Sequence, residues 1–143
     1  MASPEKIKAF QSSYSRCTLD PEFIQTFYKL FVTLSDQVQQ YFAHIPPGRQ
    51  IKMMEYALYL QMLAIDDSPD ARECLLGLGD SHNSLTIKPH LYDHWLNSLV
   101  RAVEYYDGKL HPGIGEIWRE VLGPGLELMK KRYTKDAKLT VIS

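Results

Sequence analysis

The stretch Leu78-Gly79-Asp80-Ser81-His82-Asn83-Ser84-Leu85-Thr86-Ile87-Lys88-Pro89-His90-Leu91-Tyr92 decides how the rest of this 143-residue chain is read. His82 follows Leu78 by four residues and Leu75 by seven, which puts the imidazole on the apolar stripe of a helix over 69–82. Pro89 then opens a second helical pattern over 89–106, with Tyr92, Leu96, Leu99 and Val103 on one face. A lone histidine on such a stripe has two readings. It is either a buried ring bonded to a carbonyl, the commoner case, or a ligand aimed into the bundle. Periodicity leaves both open.

Outward from this stretch the spacing stays helical. Residues 4–16 place Ile7, Phe10 and Tyr14 on one stripe, and residues 21–34 do the same for Phe23, Phe27, Leu30, Phe31 and Leu34. A short turn over 36–42 ends in Tyr41-Phe42. Residues 49–65 set Gln50, Met53, Met54, Ala57, Leu58 and Gln61 on a common face, and 113–135 carry Trp118, Val121, Leu122, Gly125 and Met129. No hairpin signal interrupts the pattern. The class is all-α, about seven helices in one domain spanning 1–143, with a helical core over 3–135 and a frayed tail over 136–143. Ser3-Pro4, Asp20-Pro21 and Ser68-Pro69 are N-cap-then-proline signatures, in which a side-chain oxygen caps free N–H groups and proline fits the first turn. Pro46-Pro47-Gly48 and His111-Pro112-Gly113 break the chain between helices. Gly123-Pro124-Gly125 predicts a bend or break, because an interior proline removes a hydrogen bond and clashes with the preceding turn.

Composition excludes several function classes. Sixteen basic residues against 17 acidic ones leave a net charge of −1, which lacks the basic face that phosphate neutralisation needs, so no nucleic-acid partner is expected. No apolar run approaches the about 18 residues of a membrane span, and the start has no basic region followed by an apolar one. Cys17 and Cys74 are too few for a disulfide framework and too far apart for a zinc motif. A reduced cytoplasmic setting follows as the expectation. Phosphate loops, nucleophile elbows, HExxH, CxxC and EF-hand loops are all absent from the sequence. Asp66, Asp67 and Asp70 sit at a helix start, where the dipole alone favours carboxylates, and Lys130-Lys131-Arg132 reads as a solvated helix end. His44, His90, His94 and His111 lie among turns or polar neighbours and read as solvated. What stands out is 16 aromatic residues, nine of them tyrosine.

The ordered set Leu78-Gly79-x-x-His82, Pro89 and Tyr92, together with Phe27-Tyr28 and Tyr41-Phe42, resembles the bacterial single-domain globins and the globin domain of flavohaemoglobins. Tyr28 and Phe42 are fourteen residues apart, as the family's distal tyrosine and haem-stacking phenylalanine are. Counting back from His82 without a gap puts Gln50 at the distal ligand-contacting position and Met54 at the apolar position one turn later. The resemblance covers residues 4–135 and includes Trp118 in the last helix.

It implies a globin fold binding haem b (iron protoporphyrin IX), with His82 as proximal iron ligand and Tyr92 orienting the imidazole. Phe42, Met53 and Met54 would line the haem, and Tyr28 and Gln50 would face a bound gas. Lys88, with Arg49 and Lys52, would meet the propionates. The implied function is reversible binding of O2, CO and NO at pentacoordinate iron. The alternatives are NO dioxygenation with a separate reductase, since no reductase domain follows, or a gas or redox sensor. One departure stands out. Flavohaemoglobins bond the proximal histidine to a last-helix glutamate, whereas here Tyr133 falls near that place and Glu127 lies upstream.

Overall fold

The computed structural model describes residues 2–65, 68–85 and 87–133. They form seven helices in chain order: α1 (Pro4–Leu19), α2 (Pro21–Thr33), α3 (Asp36–Phe42), α4 (Pro47–Ala64), α5 (Pro69–Ser84), α6 (His90–Asp107) and α7 (Ile114–Lys130). Among the described residues there is no strand, and no helix is long and apolar enough to cross a membrane. The Asp66-Asp67 pair and the 136–143 tail lie outside the described residues.

The helix starts follow the local chemistry. The side chains of Ser3, Asp20 and Ser68 accept from the backbone N–H of Lys6, Glu22 and Ala71, and each is followed by a proline in the first turn. Ser35 caps α3 through Val38 N. α4 begins at Pro47, inside the Pro46-Pro47-Gly48 break, because a proline with fixed φ and no N–H suits a first helical position. Gly113, at φ 84°, makes the left-handed entry to α7 that a side chain would strain.

Three expectations are corrected. α7 runs unbroken through Pro124. Proline forfeits only the bond its own nitrogen would make to the carbonyl four residues back, at Glu120; both residues are exposed, and the flanking glycines relieve the crowding. The α7 end is not merely solvated, since Lys130 Nζ reaches Asp93 on α6 at 2.6 Å and Glu127 at 3.0 Å, and Arg132 pairs with Asp80 on α5 at 3.5 Å. His94 is half-buried, stacked on Phe31, with its Nε2 2.8 Å from the Phe31 carbonyl.

The main core joins α1, α2, α6 and α7 around Phe10, Phe23, Phe27, Leu99, Val103 and Trp118. Its polar centre is one connected group. Trp118 Nε1 donates to Ser13 Oγ at 2.9 Å, Ser13 donates to Asp107 Oδ2 at 2.6 Å, and Arg16 closes on both Asp107 oxygens at 2.8 and 2.9 Å. A second core, Leu60, Leu75, Tyr92, Leu126 and Met129, joins α4, α5, α6 and α7. There Gly79 lets the chains approach, its Cα facing the Met129 backbone where a Cβ would come within 3.2 Å.

The Arg16 hydrogen bonds, ahead of the opposing effect of burial, hold the Asp107 carboxyl below its ordinary range. Its folded pKa is therefore depressed. The contribution to stability is complete above the unfolded value of about 3.9 and is lost as pH falls through the folded value. Asp107→Ala, which takes the acceptor from the Ser13 hydroxyl and the partner from Arg16, is expected to lower unfolding free energy by about 2–3 kcal/mol at neutral pH. Denaturant titration of both proteins from pH 7 to pH 3 checks this: the difference should shrink as the medium becomes acid.

Candidate functional site

α5 ends its last turn with His82 directed at α6, and ten residues later Tyr92 occupies the first turn of α6. The intervening chain folds back tightly, with Ile87 N bonding the His82 carbonyl at 3.0 Å, so the two side chains meet. His82 Nδ1 and the Tyr92 hydroxyl share a hydrogen bond of 3.1 Å. The phenol is 6% exposed, and burial pushes its pKa up to about 12, so it stays protonated. Burial also lowers the His82 pKa, which keeps the ring neutral at physiological pH. The partner of Nδ1 is thus a phenol rather than a carboxylate.

His82 lies on the wall of a cleft between α4, α5, α6 and α7 that α3 closes at one end. The cleft has a cavity volume of about 120 Å³, within a space of about 750 Å³ that includes its open mouth. Phe42, Met53, Met54, Tyr92 and His82, five of the residues singled out in the sequence, line it. Phe31, Gln61, Trp95, Leu126 and Met129 line it too, with no role read for them from the sequence. Gln61 had a legible signal, since it continues the Gln50–Met54–Leu58 stripe; its burial, at 3%, was the surprise. The wall is apolar and aromatic, with few polar groups, which is the composition of a flat hydrophobic ligand's slot.

Tyr28 and Gln50 are not among the lining residues; they pair with each other. The Tyr28 hydroxyl donates to Gln50 Oε1, and Gln50 Nε2 donates to the carbonyls of Phe42, at 2.9 Å, and Ile45. Both amide hydrogens of Gln50 therefore hold the turn between α3 and α4. Lys88, Arg49 and Lys52 are exposed and outside the cleft lining, as is His44. Trp118 is fully buried in the main core. Glu127 engages Lys130, and Tyr133 follows the end of α7, half-buried. Cys17 is buried, its thiol pushed up to about 11 mainly by desolvation, and Cys74 is exposed; neither belongs to the cleft. Among the described residues no group of histidines, cysteines and carboxylates could hold a metal ion by itself.

This arrangement of seven helices around an apolar cleft with one inward imidazole is the globin fold. It superposes on the crystal structure of a Pseudomonas aeruginosa protein described as structurally highly homologous to a human hemoglobin, with a TM-score of 0.82 and 29% sequence identity. The match covers 91% of this chain and 99% of that one. No protein-family model matches the chain, and no curated protein matches it. The chain therefore has an all-α globin fold, and that fold suggests haem binding.

Gln50→Leu strands the Ile45 carbonyl and the Tyr28 hydroxyl together, and leaves the Phe42 carbonyl with only the Ile45 N–H. An unfolding free-energy loss of about 1–3 kcal/mol is expected. Amide exchange should show it concentrated at the α3–α4 turn and the start of α4.

Proposed function

We propose that the chain binds haem b in the α4–α7 cleft through His82 and uses it to bind small diatomic gases, O2, CO and NO, reversibly. The observation that supports this best is the neutral, half-buried imidazole held at Nδ1 by Tyr92 in an apolar slot. The tautomer that serves is the one in which Nδ1–H donates to the phenol oxygen, leaving the Nε2 lone pair facing the cleft. The donor set also fits the group: one soft-enough nitrogen ligand, aromatic and thioether walls, and no competing carboxylate or thiol in the lining. When bound, the iron supplies the gas-binding coordination position.

The residues of this chain do the rest. Tyr92 fixes the imidazole plane, and because a phenol is a weaker acceptor than a carboxylate it leaves the ring less electron-rich than a glutamate partner would. Phe42 would give the haem a flat apolar wall at the α3 end of the cleft, and Met54 would help keep water out of it. Tyr28, whose hydroxyl donates to Gln50 outside the cleft lining, would be the donor toward a gas were that bond exchanged. Gln50, with both hydrogens committed to the turn, is a positioning residue. Lys88, exposed and next in sequence to Ile87 of the cleft lining, is the base assigned to a propionate.

Expression of the protein with haem, followed by absorption spectra of the ferric, ferrous and CO-treated forms, tests the reading. A Soret band that shifts on reduction and on CO addition is expected, and His82→Ala should lose it without losing helical circular dichroism. Tyr28→Phe should release O2 about tenfold faster or more, the factor that about 1.4 kcal/mol of lost hydrogen bonding gives. An unchanged off-rate in stopped-flow displacement would remove Tyr28 from the gas side.

A further inference from the structure

α4 is the wall between two cavities. Its Met53, Met54, Ala57 and Gln61 line the cleft, while Glu55, Tyr56, Leu58 and Tyr59 line a separate hollow against α1 and α2. No residue belongs to both linings. The hollow has a cavity volume of about 580 Å³, within a space of about 1100 Å³ that includes its open mouth. The function proposed above uses none of it.

The chemistry of this wall is one-sided. Three phenol rings, Tyr14 of α1 with Tyr56 and Tyr59 of α4, stand beside two carboxylates, Glu55 and Asp20. No lysine, arginine or histidine lines the hollow, and Pro21, Ile24 and Leu58 supply further apolar surface. Tyr14 is set from behind by the core, its ring centre 6.4 Å from that of Trp118 and 6.2 Å from that of Phe10. Tyr56 and Tyr59 are 56% and 47% exposed. Burial first, and then the neighbouring Tyr59 and Glu55, raise the pKa of the Tyr14 phenol, so that ring stays neutral. Among the described residues Glu55 makes no ion pair.

We propose that this hollow binds a small organic cation bearing a quaternary ammonium group, held against the Tyr14, Tyr56 and Tyr59 rings and balanced by Glu55. Aromatic faces attract a cation through their quadrupole, and several of them around one space are the arrangement that recognises quaternary ammonium ions. The wall also selects the kind of cation. A primary ammonium brings three N–H donors and a guanidinium five, and each needs an acceptor once it leaves water. Acceptors here are scarce: the Thr18 hydroxyl is turned onto the Tyr14 carbonyl at 2.7 Å, and Asp20 Oδ1 caps α2 through Glu22 N at 2.9 Å. A quaternary ammonium has no N–H to satisfy and meets the phenol rings with methyl surface.

Choline is the probe, on the full chain, with its neutral carbon isostere, in which a tert-butyl group replaces the trimethylammonium, as the control. Ring resonances of Tyr56 and Tyr59 are expected to shift saturably with choline, and its methyl protons to show nuclear Overhauser contacts to those rings. The isostere keeps the shape and lacks the charge, and should bind about fivefold more weakly or worse. Tyr59→Leu and Glu55→Gln, both at exposed positions, should each weaken choline about two- to fivefold with helical circular dichroism unchanged. His82→Ala should bind choline as the unmodified chain does, so the site stands or falls apart from the haem reading.

Absence of saturable shifts with choline overturns the proposal. So does equal binding of the isostere, which would make the hollow a plain apolar groove. Tighter binding of butylammonium or methylguanidinium than of choline overturns it too, because the surface would then suit a lysine or arginine side chain of a protein partner.

Discussion

The four-membered chain of Trp118, Ser13, Asp107 and Arg16 is the constraint on which the rest of the molecule depends. It ties α1, α6 and α7 together through a buried carboxylate whose hydrogen-bonding capacity is taken up by a hydroxyl and a guanidinium. A buried charge of this kind is tolerable only when fully partnered, so the group admits a single arrangement of the three helices. Phe10, Phe23 and Leu99 pack around it with almost no exposure. With one half of the bundle fixed in this way, the other half need not close on itself. The cleft between α4 and α7 is the space that the fixed half leaves.

His82 and Tyr92 occupy that looser half, and their geometry shows how little sequence is needed to aim an imidazole. Ten residues separate them, and a tight return through Ile87 brings the rings to 5.8 Å between centres. Burial then acts on both groups in the directions that suit a neutral ligand, lowering one pKa and raising the other. Neither effect needs a charged neighbour. A bundle that places its polar ligand by desolvation and one phenol keeps the rest of the cleft wall free for aromatic and thioether surfaces.

Features encoded by local chemistry were legible in the chain. The caps at Ser3, Asp20 and Ser68, the helical stripes and the spacing of His82 to Tyr92 all act within a few turns, so spacing alone exposes them. The all-α class followed from the same short-range pattern, and the globin fold from the resemblance carried by His82, Pro89 and Tyr92 with Tyr28 and Phe42. Pro124 shows the limit of local rules: an interior proline reads as a break, yet the solvent-facing side of α7 and two glycines let the helix continue. Long-range pairings left no trace. Ser13 and Asp107 are 94 residues apart, and Gln61 meets Met129 across 68, so the partner that turns each polar residue inward is set by packing alone. The same holds for Tyr28 and Gln50. Both were placed on the gas side by resemblance, but only the folded turn reveals that the amide already serves two carbonyls.

That commitment of Gln50 has a thermodynamic corollary. Its carbonyl oxygen accepts from Tyr28 while its nitrogen holds Phe42 and Ile45, so the outer turn and the inner phenol are linked through one planar amide. Linkage of this sort is reciprocal: whatever draws the phenol away loosens the turn, and whatever tightens the turn holds the phenol back by the same free energy. An exposed surface corner and a half-buried hydroxyl thus share one equilibrium, carried by a side chain that itself need never touch a gas.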